Sequence, residues 1–288
     1  MNKMISDCQG IDEVIEFSKN VGASHKIYHH YTNIEGLVGM VKSGYMHLTR
    51  GNSLKINDQH EATMKGKCSE WNKTYISCFT FGGENMAMWG LYCLPWEDGV
   101  RISIPNAELN RWINDTNVIY KIIGQEYQPL YDDFDLSVND MIYIDNKGEK
   151  ISMTNKGSLN ISNNPKFNDI DKKPIMTGYI KNKAWSYEHE IRLLLKCKHE
   201  HNNIDKIAIK LPNYVINKMT ITTGPYFNGT LKHKVSECLL NCDFVTEKSG
   251  FEKLVKYQSL CNMCLNKPFR KKILIFNYSI IMNIAINL

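Results

Sequence analysis

Apolar residues along the chain switch repeatedly between a helical period and strict alternation, and these switches mark out a series of short elements. Ile11, Val14 and Ile15 recur at helical spacing over residues 10–20, with Gly22 as a stop, which predicts a short amphipathic leading helix. Lys26 to Tyr31 reads as a strand that runs straight into Thr32, Asn33, Ile34 and Glu35. Thr32 as N-cap with Glu35 three residues later predicts a capping box, so a helix starts at once. Its apolar positions Ile34, Leu37, Val38 and Val41 fall on one face, Gly44 supplies the stop, and a second strand follows through Tyr45 to Leu48.

Residues 50–73 are polar and without a sustained period, which reads as a surface loop or irregular helix carrying Asn57, Asp58 and Glu61. Tyr75 to Phe81 alternates as a strand, Asn85 to Tyr92 reads as a short helix with Met88 and Trp89, Gly99 to Ile104 as a strand and Ala107 to Ile113 as a helix. Residues 131–174 are rich in Asp, Asn, Lys and Gly; apart from a strand at Met141 to Ile144 they read as an insertion or flexible excursion. Strands return at Ile191 to Cys197, Lys206 to Leu211 and Lys218 to Thr222, before a helix near 230–241. Many strands with a few short helices and no internal repeat predict an α+β fold. The expected organisation is a single domain over residues 1–250, with the insertion at about 131–174, and a tail of uncertain structure over 251–288.

Composition narrows the function classes only modestly. The chain has 288 residues, 43% hydrophobic and 23% charged, which is globular, and a net charge of +5 favours anionic ligands without marking a nucleic-acid binder. Nine cysteines, with no long apolar run in the first residues, suggest a cytoplasmic protein with reduced thiols. No membrane-spanning helix is expected, because the longest apolar stretch, Ile273 to Leu288, is broken by Asn277, Asn283 and Asn287.

Several chemistries lack their motifs. Neither GxGxxG nor a Walker A sequence occurs, and GxSxG is absent, which disfavours Rossmann, P-loop and nucleophile-elbow enzymes. Cys238 and Cys242, then Cys261 and Cys264, approach a zinc ribbon, but the first pair is spaced by three and fits a helix face turned to a core. Cys78 reads as a buried strand cysteine, and Asp132, Asp133 and Asp135 as a solvated acidic loop.

Two polar clusters remain. The run Trp185, Ser186, Tyr187, Glu188, His189, Glu190, Ile191, Arg192 sets two carboxylates where a polar loop becomes an apolar strand. Strand alternation would put Glu188, Glu190 and Arg192 on one face. That pattern suits either a catalytic carboxylate or a solvated ion-pair row on an edge strand. The second cluster, His30, Tyr31 and Thr32, stands just before a helix N-terminus. Ser77 and Thr80 on a third strand would complete a polar cleft floor, with aromatic walls from Tyr31, Trp89 and Tyr187.

The succession Tyr28, His29, His30, Tyr31, Thr32; Leu37, Lys42, Ser43, Gly44, Leu48, Thr49; Asn57, Asp58, Glu61; Ser77, Cys78, Phe79, Thr80; Met88, Trp89, Tyr92, Gly99; Lys183, Trp185, Tyr187, Glu188, Glu190, Arg192 resembles the bacterial family catalogued as domain of unknown function 2971. The resemblance spans roughly residues 27–225. Its layout is similar to the ADP-ribosyltransferase superfamily, which implies split mixed or antiparallel sheets with short flanking helices and NAD as substrate. Carried over, the resemblance implies that Glu190 is the catalytic acid, that Glu188 orients or deprotonates the acceptor, and that His30, Tyr31, Thr32, Ser77 or Thr80, Trp89 and Tyr187 hold the NAD. A fixed carboxylate suits the oxocarbenium-like state reached when the bond to nicotinamide breaks.

The expectation is therefore an enzyme that transfers ADP-ribose from NAD to a macromolecular acceptor, nucleic acid or protein, as a toxin or anti-phage effector. Such an effector would be matched by an antitoxin or chaperone partner. Two other classes stay open: a nucleotide-binding sensor module without turnover, and a nuclease.

Overall fold

The computed structural model describes residues 4–51, 69–231 apart from 146, 163 and 202, residue 235, and 245–252. The expectations for Asn57, Asp58 and Glu61, for Cys238, Cys242, Cys261 and Cys264, for most of the 230–241 helix and for nearly all of the 251–288 tail lie outside the described residues.

The leading helix, α1 (Ile11–Gly22), buries Val14, Phe17 and Val21 on one face. Strand β1 (Ile27–Asn33) feeds α2 (Ile34–Ser43) and then β2 (Tyr45–Arg50), as the periodicity predicts. The capping differs in detail. The strand runs through Asn33, and it is the Asn33 side chain, not that of Thr32, that accepts a 2.9 Å hydrogen bond from the Gly36 N–H. Gly44 ends α2 with a φ of +69°, a conformation that favours glycine. Next come β3 (Thr74–Thr80), α3 (Met86–Tyr92), β4 (Gly99–Pro105) and α4 (Asn106–Asp115). A hairpin of β5 (Ile119–Ile123) and β6 (Glu126–Leu130) follows.

The stretch 131–174 departs most from expectation. It contains β7 (Phe134–Asp140), β8 (Ile142–Ile144), β9 (Lys150–Ser152) and β10 (Ser158–Asn160), and it is regular structure, not a flexible excursion. The later strands are β11 (Ile180–Asn182), β12 (Glu190–Cys197), β13 (Lys206–Lys210), β14 (Thr220–Thr223) and β15 (Val245–Lys248). The fold is α+β.

The chain gathers into two compact units, one drawn from Met1–Tyr28, Gly44–Phe81 and Pro105–Val215, the other from His29–Ser43, Gly82–Ile104 and Ile216–Leu288. In the first, an antiparallel sheet runs in the order β7, β12, β3, β2, β13, β5, β6. A second sheet runs β10, β9, β8, β11, the last pair parallel. Leu194 of β12 and Ile76 of β3 join Val14, Phe17 and Val21 of α1 and Ile142, Ile144 and Ile151 of the second sheet in one apolar core. Strand β12 is therefore central, paired on both edges, and its Ile191 and Leu193–Leu195 are all buried. In the second unit the strands run β15, β14, β4, β1. There Tyr31, Met88, Trp89 and Cys93 form a smaller core. Among the described residues no helix is long and apolar enough to cross a membrane.

Contact between α1 and β7 is close enough to test. A Cβ added at Gly22 would lie 2.6 Å from the Val138 carbonyl oxygen and 2.7 Å from the Asn139 Cα, backbone atoms that cannot yield cheaply. Gly22→Ala should therefore destabilise the protein by about 1–3 kcal/mol in urea unfolding. Gly39→Ala, in open space within α2, should instead stabilise it by up to about 1 kcal/mol. Equal midpoints for the two variants would contradict this packing.

Candidate functional site

Glu188 and Glu190 come together, but not by strand alternation. Lys183–Glu188 is a 3-10 turn capped by Asn182, whose side chain accepts a 2.9 Å hydrogen bond from the Ala184 N–H. His189 follows in the left-handed region with φ +46°, and only at Glu190 does β12 begin. This reversal brings both carboxylates to one cation. Lys181 Nζ donates to Glu188 Oε2 and, at 2.8 Å, to Glu190 Oε2. Arg192 Nε donates to Glu190 Oε1 at 2.8 Å, and its terminal nitrogen donates to the Gly178 carbonyl at 3.2 Å.

All four side chains are out of water: Lys181 is 7% exposed, Glu188 2%, Glu190 3% and Arg192 1%. The ion-pair row suggested by the sequence therefore exists, but it is buried and on a central strand, not solvated on an edge. Two carboxylates face two cations, so the cluster is neutral overall. Burial alone would raise the Glu190 pKa, but the Arg192 and Lys181 charges outweigh it and hold this carboxyl below its ordinary value. Glu190 is thus a permanent carboxylate at neutral pH, suited to stabilising positive charge and not to donating a proton. Tyr143, its own ionisation pushed up by burial, accepts a 3.1 Å hydrogen bond from the Glu190 backbone N–H.

Register separates the two candidate hydroxyls. Thr80 is the Cα partner of Glu190, and Cys78 that of Arg192, so these four share a sheet face, whereas Ser77 pairs with Leu193 on the opposite face. Thr80 is brought to Glu190; Ser77 is not. Cys78, expected to be buried, is exposed, although protein atoms surround it closely. Burial and the neighbouring Glu190 raise its pKa well above the ordinary value, so it is a thiol that hydrogen-bonds Glu190, not a thiolate nucleophile. Tyr187 lies in the same turn, its ring 6.1 Å from that of Trp185, over which Lys181 Nζ sits at 5.0 Å. Burial, then the Glu188 charge, push the Tyr187 phenol up to about 12.

The second unit holds the other predicted residues. Tyr31 and Trp89 meet edge to face at 4.9 Å, Arg101 lies 6.0 Å from the Tyr31 ring, and Trp89 Nε1 donates to Glu84 at 3.2 Å. With Trp89 only 2% exposed, these rings are core, not open aromatic walls. His30 and Thr32 are half-buried. The neighbouring His29 is buried with Nδ1 2.8 Å from Ser103 Oγ. Sequence reasoning missed Lys181, Cys78 and Tyr143 as members of the carboxylate cluster; Lys181, a charge directly after the apolar pair Tyr179 and Ile180, was the available signal.

Desolvation, then the Arg101 charge, lower the His29 pKa from 6.5 to about 4. An unfolded chain takes up that proton near 6.5 and the folded chain only near 4, so this contribution to stability is full above pH 6.5 and is lost as pH falls towards 4. His29→Gln should flatten the pH dependence of urea unfolding over that window by about 3 kcal/mol. A slope identical to that of the unaltered protein would contradict a buried neutral imidazole.

A family model described as Protein of unknown function (DUF2971) matches residues 88–193. That segment contains Trp89, Tyr143, Lys181, Tyr187, Glu188, Glu190 and Arg192, and excludes His30, Tyr31, Thr32, Ser77, Cys78 and Thr80. No curated protein and no solved structure matches the chain. The segment that carries the buried carboxylate cluster is therefore similar to the DUF2971 family.

Proposed function

We propose that the protein transfers ADP-ribose from NAD to a macromolecular acceptor, nucleic acid or protein, with Glu190 as the carboxylate beside the ribose. The observation that carries this reading is a permanently ionised glutamate at the entrance of a central strand, bonded to a cysteine that solvent reaches. In the reaction the bond from ribose C1′ to nicotinamide breaks, its electron pair leaves with nicotinamide, and C1′ passes through an oxocarbenium-like state before the acceptor bonds to it. A fixed carboxylate in a water-poor site stabilises that positive charge. Glu188, tied to Glu190 through Lys181, takes the part of orienting the acceptor and receiving its proton. Thr80, the register partner of Glu190, and Tyr187, in the turn that precedes it, are the ligand-holding residues beside Glu190. An activity of this kind fits a toxin or anti-phage effector, restrained by an antitoxin or chaperone partner.

A second reading, a module that holds NAD or another nucleotide without turnover, is favoured by the charge balance. Lys181 and Arg192 offset both carboxylates, which weakens the field available at a ribose.

Purified protein given labelled NAD should release nicotinamide, and Glu190→Gln should slow that release by about 100-fold or more. The same substitution leaves buried cations short of a partner and should cost about 3–5 kcal/mol of stability, so release is measured well below the melting temperature of the variant. Glu188→Gln should keep nicotinamide release while lowering transfer to acceptor. Release at the unaltered rate by folded Glu190→Gln refutes the assignment. Binding of NAD with no release by the unaltered protein would establish the second reading instead.

A further inference from the structure

The far end of β12 carries a different group of side chains. Asp132 was expected to belong to a solvated acidic loop, and its neighbours fit that description: Asp133 and Asp135 are exposed and paired with Lys198 and Lys19. The Asp132 side chain is only 1% exposed. Its Oδ1 lies 2.7 Å from His199 Nδ1 and its Oδ2 2.8 Å from His201 Nε2, while the His199 backbone N–H donates to Oδ2 at 3.1 Å. Cys197, the buried last residue of β12, completes the group. One ligand atom each from Asp132, Cys197 and His201 lie within 4.8 Å of one another.

We propose that Asp132, Cys197 and His201 bind a divalent transition metal of the zinc type, with His199 holding the coordinating carboxylate in position. Donors around tetrahedral zinc stand about 3.3–3.6 Å apart, so shifts on the order of an ångström close the observed group onto an ion. The donor set of one sulfur, one imidazole nitrogen and one carboxylate oxygen suits zinc and its neighbours; calcium and magnesium demand mostly oxygen. His199, 69% exposed and bonded to the other carboxylate oxygen, has the geometry of an outer partner that orients a ligand. The spacing Cys197, His199, His201 sets every second residue towards Asp132, which stands two residues before β7. A bound ion would pin the start of β7 to the end of β12, where Cys197 and Phe134 are register partners.

This site is independent of the proposed transferase chemistry. Glu190 and Cys197 are the two ends of one strand, about 23 Å apart at strand rise, so either assignment can fail alone.

The test uses the full chain, stripped with chelator, kept reduced and titrated with Co²⁺ while thiolate-to-cobalt charge transfer and d–d absorption are recorded. The unaltered protein should show both bands. Cys197→Ser should abolish the charge-transfer band, and His201→Ala should remove saturable binding. His199→Ala should weaken binding by about 10- to 100-fold. Replacing Cys238, Cys242, Cys261 and Cys264 together by Ser should leave the bands in place. Should Cys197→Ser fail to fold, Asp132→Asn keeps the thiol and must shift the d–d bands and weaken binding. Absence of the bands in the unaltered protein, or bands that survive Cys197→Ser but vanish with the four-cysteine replacement, overturns the proposal.

Discussion

Lys181, Glu188, Glu190 and Arg192 place two carboxylates and two cations in one cluster nearly closed to water. Each ion taken out of water costs several kcal/mol, so such a group survives only if every charge meets a partner and the remaining donors are satisfied. The surrounding backbone is arranged to meet that condition. His189 takes up a left-handed conformation so that Glu188 and Glu190 reach the same ammonium. The Gly178 carbonyl accepts from Arg192, and the Tyr143 hydroxyl accepts from the Glu190 N–H. Lys181 is held on β11, which pairs with β8 and so ties the small sheet to the entrance of the large one. The cations that make burial tolerable also hold Glu190 as a carboxylate.

The strands that border this cluster were legible where one periodicity dominated. Strand β3 and the α2 region were readable because Tyr75–Phe81 is dense in aromatic and β-branched residues and the helical spacing of Ile34, Leu37 and Val41 is uninterrupted. Strand β7 was hidden because Phe134, Leu136 and Val138 alternate with Asp135, Ser137 and Asn139, and the polar half of the pattern imitates the composition of a loop. The cap of α2 was misplaced by one residue because Thr32 and Asn33 are both good caps and only the extent of β1 decides between them.

The carboxylate pair itself was visible as Glu-x-Glu at a polar-to-apolar boundary, but its surroundings were not. Lys181 and Tyr143 reach it through the β11 and β8 pairing, which no local pattern encodes. The choice between Ser77 and Thr80 required the register of β3 on β12, a tertiary quantity that a one-residue slip would invert. In the same way Trp89 carries the composition of an aromatic wall and the burial of a core residue, and sequence cannot distinguish the two.

Strand β12 explains why the polar chemistry of the first unit concentrates where it does. Its middle, Ile191 and Leu193–Leu195, is buried and hydrogen-bonded on both edges by β3 and β7, and the charge set among these residues, Arg192, is tolerated because Glu190 and the Gly178 carbonyl accept from it. At the ends, neighbouring strands and turns can supply partners: Thr80, Cys78 and Lys181 around Glu190, and Asp132 beside Cys197 and His201. Two chemically distinct groups therefore arise from one sequence run, Glu190 to His201, with an apolar strand as the insulating segment between them. The strand supplies rigidity to both groups and holds them about 23 Å apart at strand rise.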